Sequence, residues 1–132
     1  MDHETALVNA FILPARRARF LKFLPNPKRR REVLNRLYHL RDLDPRFLVE
    51  IRPSDQNAEA IAALLQKRGA PAQCHVISTD SQLDGRELPL REVLNQIVGS
   101  GEGTLVSCIA GKLGYFEGES LNDRVILTKT TP

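Results

Sequence analysis

The sequence predicts a single α/β (or α+β) domain: a mixed sheet of about five strands with helices packed on it. Three observations lead there. The chain has 132 residues, which suits one domain burying roughly two-thirds of the surface an unfolded chain exposes. Residues 1–45 read as a basic helical region, whereas residues 46–132 alternate helical periodicity with short runs of β-formers. From residue 104 onward the patterns are strands and turns alone, which predicts a C-terminal antiparallel meander.

Residues 4–13 place Ala6, Leu7, Ala10, Phe11 and Leu13 at helical spacing. Pro14 ends or kinks that helix and suits the first turn of a second one reaching Leu24. Pro25-Asn26-Pro27 breaks the chain. Asn26 as N-cap and Pro27 as first helical residue then start a third helix to Arg41, with Val33, Leu34, Leu37, Tyr38 and Leu40 on its apolar face. A turn at 42–45 leads to a short strand at 47–51. Ser54 or Asp55 caps a helix carrying Ile61, Leu64 and Leu65. Lys67 and Arg68 suit its C-terminal dipole, and Gly69 and Pro71 close it.

Residues 72–79 form a strand, and Asp84-Gly85 marks a turn. Pro89 opens a helix whose Leu90, Val93, Leu94, Ile97 and Val98 share one face, and Gly99 ends it. Strands at 104–110 and 113–117 join through a two-residue turn, Gly111-Lys112. A loop at 118–123 precedes a last strand at 124–130. The two β-α-β passages predict a partly parallel sheet with right-handed crossovers.

The hydrophobic content of 42% and charged content of 27% are ordinary for a globular chain and exclude disorder of the whole. Two cysteines, Cys74 and Cys108, are too few for a secreted disulfide scaffold, and both fall in strand patterns where a free thiol acts as a small hydrophobe. The N-terminus lacks the basic stretch of a secretory signal, and the apolar run at 6–13 is too short to span a bilayer. A cytoplasmic protein with no membrane partner is expected.

Charge is unevenly distributed. Residues 1–52 hold 12 Lys/Arg and 6 Asp/Glu, a net of +6; residues 53–132 hold 7 and 10, a net of −3; together they make +3. A basic front half points to an anionic partner, nucleic acid or an acidic protein surface, or to a homo-oligomer in which unlike halves meet. The polyanion-binding candidates are Arg16, Arg17, Arg19, Lys22, Lys28, Arg29, Arg31 and Arg36, with Phe20, Phe23 and Tyr38 interleaved. Arginine forks fit phosphates, and aromatic rings beside them can stack on unpaired bases. The competing reading is a solvated or interfacial charge face, with the aromatics turned to the core. Arg30 and Arg41 fall towards the apolar arc and are expected to snorkel into water.

Enzymatic signals are weak. Gly99-Ser100-Gly101-Glu102-Gly103 follows a helix and precedes a strand, the reverse of a phosphate-cradling loop, so it reads as a plain connection. Cys74 and His75 are adjacent on a strand and therefore point to opposite faces. The three histidines are scattered and no C-x-x-C occurs, so neither a metal site nor any cofactor is expected. The expectation is a non-enzymatic binding module acting through its basic helices. The rivals are a structural or regulatory homo-oligomer, and a small enzyme with its site near Asp80, His75 and Lys112.

Overall fold

The computed structural model describes residues 2–120 and 123–129. Among these residues, five α-helices surround one sheet: α1 (His3–Phe11), α2 (Arg17–Phe23), α3 (Arg30–Leu34), α4 (Ala58–Lys67) and α5 (Leu90–Ile97). The six strands are β1 (Leu48–Glu50), β2 (Gln73–Ser78), β3 (Glu87–Pro89), β4 (Thr104–Ile109), β5 (Leu113–Glu117) and β6 (Val125–Thr128). Their spatial order is β1-β6-β5-β4-β2-β3. The expected helical N-terminal region and C-terminal meander β4-β5-β6 are both present.

The strand directions differ from expectation. Every neighbouring pair is antiparallel. The reason is β3, too short to show a period of its own. It forms a hairpin with β2, reversing the chain before α5. The α5 crossover therefore joins β3 to β4, which run the same way but have β2 between them. The α4 crossover likewise links β1 to β2 across three intervening strands.

Both faces of the sheet are covered, giving three layers. On one face α1, α2, α3 and the 3₁₀ segment that follows it (Asn35–His39) bury Leu7, Phe11, Phe20, Val33 and Leu37 against Ile77, Leu105, Phe116 and Leu127. On the other, α4 and α5 bury Ile61, Leu65, Val93, Leu94 and Ile97 against Val76, Val106, Tyr115 and Ile126. Successive strand residues, such as Val76 and Ile77 or Tyr115 and Phe116, divide between these two cores, as the period of two requires. Coverage of both faces leaves every residue of β4 and β5 except Ile109 fully buried, Thr104, Ser107 and Glu117 included.

Several boundaries shift for local reasons. Asp2 caps α1 by accepting from the Thr5 N–H, and a 3₁₀ turn at Pro14–Arg16 separates α1 from α2. The third helix is shorter than the expected 26–41. Asn26 caps a turn by accepting from the Lys28 N–H, and α3 begins only at Arg30 before tightening into a 3₁₀ segment, Asn35–His39. Asn57, not Ser54 or Asp55, caps α4 by accepting from the Ala60 N–H. The β4–β5 turn spans residues 110–112 rather than two residues, with Gly111 at φ +72° and a bulge between Ser107 and Ile109. Thr130 of the last expected strand lies outside the described residues.

The glycine-rich loop 99–103 is a connection, and Gly103 shows what its composition serves. A Cβ at Gly103 would lie 2.5 Å from the Leu37 backbone, so only glycine lets β4 start against the 3₁₀ segment. No described helix is long and apolar enough to cross a membrane.

Candidate functional site

The eight basic candidates separate into two groups. Arg19, Lys22 and Arg29 converge on Phe23, with their charged ends 5.7, 5.8 and 4.1 Å from the ring centre. All three cations are exposed, Phe23 is half-buried, and the exposed Lys28 precedes Arg29 in the turn between α2 and α3. The local cause is helical spacing: Arg19 and Phe23 are four apart on α2, and the 25–29 turn brings Arg29 back over the ring. Arg29 also holds Glu32 through a two-pronged pair, with 2.6 and 3.1 Å contacts. No other carboxylate pairs with the group within 4 Å among the described residues.

The remaining candidates are engaged elsewhere. Arg36 donates twice to Asp42 Oδ2 at 2.9 and 2.6 Å, and Arg16 lies 3.8 Å from the same buried carboxylate. Arg17 donates to the Ile12 carbonyl and Arg31 to the Thr79 carbonyl. Phe20 lies in the core, as the competing reading of the aromatics expected.

Arg30 departs from expectation. Its head does not snorkel into water; the side chain is 18% exposed and grips two carboxylates. Its Nη1 and Nη2 donate to Glu4 at 2.6 and 2.8 Å, while Nε and Nη2 donate to Asp84 at 2.8 Å each. A further bond reaches the Leu24 carbonyl. Asp84 in turn accepts from the Ser78 N–H. One guanidinium thus ties α1, α3 and the β2–β3 loop together.

This cluster continues into a pair of imidazoles. His75 Nε2 lies 2.7 Å from Glu4 Oε2. His3 Nδ1 lies 2.7 Å from Ser107 Oγ. The rings of His3 and His75 stack, with centroids 5.7 Å apart and planes within 6°. Register explains the meeting: His75 and Ser107 are direct partners in the β2–β4 ladder, and α1 lays His3 over them. Burial disfavours the Glu4 charge, but the bonds from Arg30 and His75 outweigh it and hold the carboxyl down at about 2. The same pairing raises Arg30 against the opposing effect of burial.

A cleft of about 410 Å³ opens beside this cluster. Its polar lining is Asp2, His3, Glu4, Thr5 and His75, and its apolar lining is Leu21, Leu24, Pro25 and Ala110. Residue 107 is 104 positions from His3, and 71 positions separate His75 from Glu4, so no local pattern announces the cluster.

The other sequence candidates take plain structural parts. Cys74 lies in the α4/α5 core, away from His75, and both cysteines are buried free thiols. Burial pushes each thiol up to about 12. Asp80 accepts from the Gln82 N–H within its own turn, and Lys112 sits in the β4–β5 turn. Among the described residues, no group of three His, Cys, Asp or Glu side chains is placed to hold a metal ion. The chain matches no protein-family model, no curated protein and no solved structure, so function is read from its own geometry.

Proposed function

We propose that the protein is a binding module that contacts the phosphate backbone of a nucleic acid through α2 and the turn after it. The observation that supports this is the group of Arg19, Lys22 and Arg29 around the half-buried Phe23 ring, with the exposed Lys28 next to Arg29 in the chain. Exposed cations held close together repel one another unless an anion joins them, and the ring restrains them by cation–π attraction. The remaining four candidates are less available: Arg16 and Arg36 are drawn to Asp42, and Arg17 and Arg31 bond to backbone carbonyls.

Fluorescence anisotropy with labelled single- and double-stranded oligonucleotides tests the reading. Four phosphate contacts give a log–log salt slope of about −3 on single strands, so affinity falls about 50-fold between 50 and 200 mM salt. Lys22→Glu/Lys28→Glu abolishes binding. The equally charged control Arg52→Glu/Arg86→Glu, on exposed residues elsewhere, leaves it intact. Glu32→Gln releases Arg29 and strengthens binding. Absence of binding at the lowest salt, or equal loss in both double variants, overturns the proposal.

A further inference from the structure

The cleft beside His3 and His75 has a chemistry opposite to that of the cationic patch. α2 divides the two: Arg19, Lys22 and Phe23 form the patch, while Leu21 and Leu24 line the cleft. We propose that this cleft binds a small organic cation, a primary ammonium group carried on a compact apolar body.

Size and shape suit a small molecule. The volume of about 410 Å³ falls within the usual range of such sites, and most are apolar with a few converging polar groups. Leu21, Leu24, Pro25 and Ala110 supply the apolar side. Asp2, His3, Glu4, Thr5 and His75 supply the polar groups, and among the described residues neither lysine nor arginine lines the cleft.

The electrostatics select the sign of the ligand. Arg30, the cation behind the cleft, is divided between Glu4 and Asp84, one positive charge against two negative ones. Asp2 adds another carboxylate, of which Oδ1 alone is bonded to the Thr5 N–H. A carboxylate or phosphate ligand would meet Asp2 and Glu4, and among the described lining residues no lysine or arginine offsets them. An ammonium group meets acceptors.

The polar wall is also braced from behind. Ser107 holds His3, Glu4 holds His75, and Arg30 holds Glu4 with two bonds. Each imidazole is bonded through one nitrogen, and the residues in these bonds come from three separate elements: α1, β2 and β4. A wall fixed in this way loses little freedom when a ligand docks.

The test compares two probes of similar size and opposite charge, phenethylamine and 3-phenylpropionate, in protein-observed NMR titrations to about 10 mM, a range suited to ligands this small. Phenethylamine should give saturable shifts centred on His3, His75 and Ala110 and bind at least about tenfold more tightly than the carboxylate. Ala110→Phe fills the cleft and should abolish the shifts. Asp2→Asn keeps the helix cap but removes the charge, and should weaken the amine about two- to fivefold. Equal or tighter binding of 3-phenylpropionate, no saturable shift with phenethylamine, or binding that survives Ala110→Phe overturns the proposal. If Ala110→Phe does not fold, the comparison of the two probes on the unaltered chain decides.

Discussion

Replacing Glu4 by Gln removes the charge on which the N-terminal helix is anchored. Glu4 receives two bonds from Arg30 and one from His75, with its side chain only 18% exposed. Its carboxyl is held at about 2, against an ordinary 4.5. A folded-state value below the unfolded one means that the ionised carboxylate stabilises the fold at neutral pH. That contribution is lost as pH falls from about 5 towards 2. The gap corresponds to about 3 kcal/mol in full, and to about 2 kcal/mol once partial screening at the cleft mouth is allowed for. Near pH 3 the contribution is roughly halved.

Urea unfolding of the two proteins at pH 7 and pH 3 checks this. With a slope of about 1.5 kcal/mol/M, Glu4→Gln should lower the pH 7 midpoint by roughly 1.3 M. At pH 3 the two curves should draw together. An offset that stays constant between the two pH values, or a loss below about 0.5 kcal/mol at pH 7, refutes the assignment of Glu4 as a charged anchor.

Two further outcomes follow from buried groups. Arg124 and Glu117 form an ion pair with side chains 5% and 1% exposed, and Tyr115 and the Gly99 N–H also donate to Glu117. Arg124→Met should therefore cost about 3–5 kcal/mol in chemical unfolding, whereas Arg124→Met/Glu117→Leu should recover much of it, because no uncompensated charge remains. Cys74 and Cys108 are buried thiols raised to about 12, so neither should react with a thiol reagent at pH 8 until denaturant is added. Prompt labelling of the folded protein would contradict their burial.

Most of the architecture was legible because it depends on short-range periodicity. The apolar positions of α5 at i, i+3, i+4 and i+7 are the residues buried against the sheet. The caps were less legible: Asn26 caps a turn rather than the expected helix, and Asn57, not Ser54 or Asp55, caps α4. The basic patch was partly legible for the same reason, since Arg19, Lys22 and Phe23 share one helix. Four of its eight candidates proved engaged by Asp42 or by backbone carbonyls, which their neighbours in sequence do not reveal.

The amino-acid sequence by itself determined most of the helices, the meander and the excess of cations before residue 52, because each follows from the chemistry of adjacent residues. Strand order, the antiparallel course of β3 and the ladder position that sets His75 beside Ser107 were decided only by the tertiary structure. So was the fate of Arg30, whose place on its helix suggested solvent but whose partners Glu4 and Asp84 lie 26 and 54 residues away. Long-range ion pairs and sheet register depend on how layers dock, and docking is a property of the whole apolar surface rather than of any local pattern.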